Sequence, residues 1–125
     1  PAAIPPSLAL FARQVVEKAL KDPQLLDSLL GEYLTEPKAH VVFDGVSVCE
    51  DVSKGVQLHR STKMMYDKQH IFINGESFKV GGRDAIAMRQ LADDRVMIAR
   101  DVKTLSADAK AALVDWAGAG WLQAL

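Results

Sequence analysis

The residues of this 125-residue chain that could do chemistry are few: three histidines, one cysteine and the mixed run MMYDKQHIFINGESF from Met64 to Phe78. A non-haem iron or zinc site needs imidazoles and a carboxylate brought to one point with a coordination position left open. His40, His59 and His70 fall in separate strand-like segments. None has Asp or Glu two residues on, and none belongs to an H-E-x-x-H pattern, so they read as surface or half-buried histidines. Cys49 is the only cysteine, which excludes an internal disulfide framework and a thiolate zinc site. A Cys49–His pair or a Ser77 nucleophile would be hydrolase chemistry. However, Gly75-Glu76-Ser77-Phe78 lacks the second glycine of G-x-S-x-G, with Lys79 in its place. Gly81-Gly82 before a helix could cradle a phosphate, but Asp84 in the first turn would repel it, so the pair reads as a linker. Catalytic, cofactor-binding and metal-binding residues are therefore expected to be none within this chain.

The elements that would position these residues follow from hydrophobic spacing. After Pro5-Pro6, with Ser7 as a possible cap, Leu8, Phe11, Ala12, Val15, Val16 and Ala19 recur at helical steps, and Asp22-Pro23 breaks the run. A second helix from Pro23 carries Leu25, Leu26, Leu29, Leu30, Tyr33 and Leu34, and ends at Thr35-Glu36-Pro37. Beyond it, His40–Phe43 predicts a short strand, Ser47–Lys54 a short helix ended by Gly55, and Val56–His59 a half-buried strand. Asn74-Gly75 between Ile71-Phe72-Ile73 and Ser77–Val80 is a strong hairpin signal, because both turn residues tolerate positive φ. The Met64–Phe78 run thus reads as a hairpin rather than a catalytic loop, with Glu76 and Ser77 facing solvent and the Tyr66 hydroxyl in need of a partner. A helix at Arg83–Ala92, a strand at Arg95–Ala99, a Ser106-capped helix to Ala117 and a strand after Trp121 complete the pattern.

The expected fold class is α+β: an N-terminal helical hairpin at 1–38, then a winged-helix-like module with a β-hairpin at 39–125. Thirty-odd residues cannot bury both apolar helix faces alone. The expectation is that a second copy covers them, giving a homodimer with Leu8, Phe11, Val15, Leu25, Leu29 and Tyr33 at its interface. The formal net charge of −1 gives no long-range attraction to nucleic acid. The would-be recognition helix Ser106–Trp116 has one lysine against two aspartates and no Arg, Asn or Gln to read bases. DNA is therefore not an expected partner. No apolar run approaches the ~20 residues a membrane span needs, and the N-terminus does not read as a signal peptide, so a cytoplasmic location is expected.

Leu34–Lys38, Met64–Asp67, Ile71–Phe78, Arg89–Asp93, Leu113–Trp116 and Gly120–Leu122 occur in an order and spacing that resembles the C-terminal portion of bacterial cupin-fold (JmjC-type) ribosomal oxygenases. The I-N-G-E element and the closing D-W-x-x-x-G-W-L pattern are its most specific parts. The resemblance implies a dimerisation-type helical hairpin and a winged-helix-like domain. It also implies a separate catalytic barrel with an H-x-D…H triad, Fe(II) and 2-oxoglutarate, acting on an arginine of a ribosomal protein. None of the triad has a counterpart here, so the chain reads as the non-catalytic C-terminal fragment of such a hydroxylase. The alternative is a small winged-helix nucleic-acid-binding regulator.

Overall fold

The computed structural model describes residues 3, 5–38, 41–43 and 51–125, with Ala19 described in its backbone alone. Helix α1 spans Pro6–Lys21 and α2 spans Pro23–Thr35. The Pro5 carbonyl accepts the N–H groups of Leu8 and Ala9, so α1 begins at Pro6 and Ser7 lies inside the first turn rather than capping it. Asp22 caps α2, its Oδ1 accepting from the N–H of Gln24 (3.0 Å) and Leu25 (3.3 Å), while Pro23 occupies the first helical position.

The strand expected at His40–Phe43 is not present over its described part. Residues 41–43 have no regular structure; Val42 is 77% exposed, while Val41 and Phe43 are half-buried. His40 and Cys49 lie outside the described residues. Of the helix expected at Ser47–Lys54, the described part is a 3₁₀ turn at Val52–Lys54, capped by Asp51.

The remainder alternates short strands and helices: β1 (Gly55–Leu58), β2 (Met64–Tyr66), β3 (His70–Ile73), β4 (Glu76–Lys79), α3 (Gly82–Asp94), β5 (Val96–Ile98), α4 (Ala99–Thr104), α5 (Ala107–Gly118) and β6 (Leu122–Ala124). They form two antiparallel three-stranded sheets, β5-β1-β6 and β2-β3-β4. Asn74 (φ 46°) and Gly75 (φ 90°) make the tight turn between β3 and β4, the positive-φ pair that matches strand twist. Two elements were not expected. Met64–Tyr66 extends the hairpin into a sheet, and Ala99 opens α4 where a strand was expected to continue. Arg95 makes the switch from α3 to β5 in the left-handed conformation (φ 65°).

The core lies between the sheets and helices α3 and α5, with Val56, Ile71, Ile73, Met88, Leu91, Met97 and Leu113 almost fully buried. Met64, which is opposite Ile73, also joins this core. All four residues of β3 are buried, because both of its faces are covered. Ile71 and Ile73 enter the core, while His70 and Phe72 alternate to the other face, under α2. Ser106 caps α5 through the N–H of Ala109, and its own N–H and hydroxyl bond the carboxylate of Asp84, so the starts of α3 and α5 are tied together.

Candidate functional site

Helix α2 is seated on the β2-β3-β4 sheet by contacts that the amino-acid pattern alone does not display. Gly31 rests against the Phe72 ring so closely that a Cβ there would collide with it. Thr35, fully buried at the end of α2, donates to the Gly31 carbonyl (2.9 Å) and accepts from the N–H of Gly75 (2.9 Å). The last turn of α2 is thereby fastened to the tip of the hairpin. The Ser77 hydroxyl donates to the Glu32 carboxylate, so Ser77 faces α2 and not solvent as expected; Glu76 is exposed as expected. Phe72 pairs with Met65 and Ser77 across the sheet, which puts all three on the face that α2 covers.

One constellation in this seat has the form of a proton relay. Buried His70 places Nδ1 3.1 Å from Asp67 Oδ1 and Nε2 3.2 Å from Ser28 Oγ. With Nδ1–H donated to the carboxylate, Nε2 accepts from the serine hydroxyl, which is the connectivity of a Ser-His-Asp triad. Acyl transfer also needs preorganised N–H donors for the oxyanion. The first-turn N–H groups of α2 are already taken by Asp22, so the terminus of α2 supplies none. Asp67 is occupied as well. Burial opposes its charge, but the N–H groups of Gln69 and His70 and the His70 ring outweigh that and hold its pKa below the ordinary value. From the other side, Arg89 donates to the carbonyls of Asp67 (3.3 Å) and Lys68 (2.9 Å). The geometry describes a clamp that joins α2 to a rigid turn. A groove of about 530 Å³ runs beside it, between α2 and β2–β3, lined by Leu30, Leu34, Met65, Lys68 and Phe72 among others.

The other singled-out residues do not converge. His59 Nδ1 accepts from the N–H of Ser61, and its ring meets Phe43 edge-on at 5.2 Å, beside the other sheet. Among the described residues no group of three His, Cys, Asp or Glu could hold a metal ion, so the donor set present does not fit the Fe(II) that the resemblance implies. The Tyr66 hydroxyl finds both oxygens of Asp93 at 3.0 and 3.1 Å. Arg95 spends its guanidinium on the carbonyls of His59 and Thr62.

The outer faces of the hairpin are apolar and open. Leu8 and Phe11 of α1 and Tyr33 of α2 are exposed, Phe11 by 62% and Tyr33 by 75%. Val15, Leu25 and Leu29 are half-buried, being partly used where the two helices and the sheet meet. Leu10, Val16, Leu20, Leu26 and Leu30, also exposed, widen the apolar surface beyond the six expected residues.

Comparison with known proteins shows what this architecture is similar to. The family model described as ROXA-like winged helix matches residues 18–123. Among solved structures, the X-ray structure of Escherichia coli ycfD superposes with a TM-score of 0.70 at 14% identity, covering 98% of this chain and 35% of that one. A structure of YcfD described as a ribosomal oxygenase from Escherichia coli gives 0.71 at 14% identity, covering 98% and 36%. The same protein in complex with cobalt and 2-oxoglutarate gives 0.68, again at 14% identity with 98% and 36% covered. The chain thus spans about a third of the length of those proteins, and at that identity the likeness establishes the fold. No curated protein matches the chain.

Proposed function

The chain belongs to the ROXA-like winged-helix family, and from that we propose that it is the non-catalytic C-terminal part of a cupin/JmjC-type ribosomal oxygenase, serving dimerisation and the positioning of substrate for a protein hydroxylase. In this reading Fe(II) and 2-oxoglutarate belong to a separate catalytic barrel, a ribosomal protein is the substrate of that barrel, and the whole acts in the cytoplasm. No helix among the described residues is long and apolar enough to cross a membrane.

The observation that carries the assembly part is the helical hairpin formed by α1 and α2. One side of α2 is locked to the sheet by Gly31, Ser28, Glu32 and Thr35, while Leu8, Phe11 and Tyr33 stay open. A rigidly mounted apolar face is what a two-fold interface requires, because the same stripe must meet its own copy in one orientation. The nucleic-acid regulator reading has less support. Arg89 and Arg95 are engaged by backbone carbonyls, and the exposed face of α5 carries Asp108 and Asp115.

Light scattering of the purified chain at about 100 µM tests the assembly, a concentration at which a dimer of about 1 µM affinity is nearly fully formed. A dimer is expected, with Phe11→Glu monomeric and still folded. A strictly monomeric wild-type chain at that concentration overturns it. Reading the coding sequence upstream of Pro1 tests the placement: an H-x-D…H barrel in frame supports it, and its absence overturns it.

A further inference from the structure

We infer that the face between α5 and β4 is a docking groove for an extended, arginine-bearing cationic polypeptide segment. This deepens the accessory-module reading by naming the chemistry of the segment the module would receive. The groove encloses about 470 Å³, and its floor is aromatic: Phe78, Trp116 and Trp121. Phe78 and Trp116 meet edge-to-face at 5.6 Å. The Trp121 N–H donates to the Trp116 carbonyl (2.9 Å), and the Trp121 carbonyl accepts from the His59 N–H and the Thr62 hydroxyl. The backbone at Trp121 is therefore held from both sides.

The rim carries Glu76, Asp108 and Asp115, and no basic residue lines the groove. Asp108, Ala111 or Ala112 and Asp115 follow one another at helical steps on α5, with Ala119 just beyond it, so small alanines separate the acids; of the floor residues Phe78 and Trp121 are half-buried and Trp116 is buried. All three carboxylates are exposed, and among the described residues none makes a hydrogen bond or ion pair. A second recess of about 240 Å³ continues from the groove, sharing Phe78, Asp108, Ala112 and Trp116; Lys79, the last residue of β4, stands at that end. The two together suit an extended chain rather than a compact ligand.

The rim selects the occupant by charge, and the floor selects it by shape. A planar guanidinium stacks on an aromatic face and pairs with a carboxylate through its fork of N–H groups, whereas an ammonium does only the second as a point charge. A polyanion is repelled by the same rim.

The chain's two tryptophans both line this groove, so their indole N–H resonances report on it, Trp121 the more directly because Trp116 is buried in the core. The experiment is a titration of the ¹⁵N-labelled chain with a capped peptide of alternating Arg and Gly, with its Lys and Glu counterparts, and with a short DNA duplex. Saturable shifts of both indole signals are expected with the Arg peptide, weaker ones with Lys and none with Glu or DNA. Glu76→Gln, Asp108→Asn and Asp115→Asn should each weaken Arg-peptide binding about two- to fivefold, the range of an exposed ion pair. Unchanged backbone spectra confirm that these surface variants fold. The inference is overturned by indole signals that ignore the Arg peptide, or that respond equally to the Glu peptide or to DNA. Indole shifts that follow protein concentration alone also overturn it, since they would make the groove a contact between copies. Light scattering of the α1 variant reads assembly separately, so the two proposals fail independently.

Discussion

Replacing Gly31 by alanine gives a prediction whose sign depends on a partner 41 positions along the chain. At this point α2 lies against Phe72, which is only 3% exposed and stacked on His70 at 5.7 Å. An alanine Cβ would run into three carbons of that ring. Helix propensity favours alanine by about 1 kcal/mol. Overpacking a tight interface costs about 1–3 kcal/mol, and collision with a ring held on both sides belongs in the upper half of that range. Gly31→Ala should therefore destabilise the fold by about 1–2 kcal/mol net. In a Phe72→Leu background the ring is gone and the propensity gain remains, so the same substitution should stabilise by up to about 1 kcal/mol. The coupling in the double-mutant cycle is then about 2–3 kcal/mol. Urea unfolding followed by far-UV circular dichroism measures all four corners, provided the slopes match. A Gly31→Ala effect of the same sign and size in both backgrounds would refute the reasoning that glycine is required for the close approach of α2 to β3.

Three further outcomes follow from the geometry. The Asp67 pKa is lowered in the folded chain, so between the folded value and the ordinary 3.8 the unfolded state binds more protons. The stability it contributes is complete above about pH 4 and is lost as pH falls through the folded value; urea midpoints against pH should show a shallower acid limb for Asp67→Asn. Asn74→Ala places a β-carbon residue at φ 46° and removes the bond from the Lys63 N–H to Asn74 Oδ1. It should cost about 2–3 kcal/mol by urea unfolding, against about 1 kcal/mol for Asn74→Gly, which restores the backbone freedom alone. The Tyr66 pKa is raised, first by its hydrogen bond to Asp93 and then by that carboxylate's charge. Ultraviolet titration of tyrosinate should show one of the two tyrosines ionising earlier in Asp93→Asn than in the wild type.

What the sequence reveals divides along the range of the forces involved. Local signals were sufficient for the Asp22-Pro23 break, the Asn74-Gly75 turn and the Ser106 cap, because each is decided by residues a few positions apart. The β-strand at Met64–Tyr66 was not legible: its exposed Met65 and Tyr66 carry no alternation, and only pairing with β3 makes it a strand. Ala99–Thr104 was hidden for a related reason, since a six-residue helix has too few positions to show a period. The Ser28–His70–Asp67 clamp joins residues 42 positions apart, and a serine amid helix α2 announces nothing. Ser77 was assigned to solvent together with Glu76 as a polar hairpin residue; neighbours in a strand point to opposite faces, and α2 over the Ser77 face gives its hydroxyl Glu32 as a partner. By contrast, the apolar excess on α1 was visible from spacing alone, because nothing within the described fold covers Leu8 or Phe11.

The strand order β5-β1-β6 also bears on the timetable of synthesis. Val56 stands opposite Met97 on one side and Ala124 on the other, and the Leu125 N–H closes on the Gly55 carbonyl. The hairpin sheet, built from neighbours in the chain, can assemble as soon as Phe78 has left the ribosomal tunnel. Strand β1 must instead wait with both edges bare until α3 and β5 are made, and with one edge bare until α4, α5 and β6 follow. Any factor that shields nascent chains would find its longest-lived target at Gly55–Leu58, and a stalled or clipped product lacking β6 would leave that edge open to a neighbouring molecule.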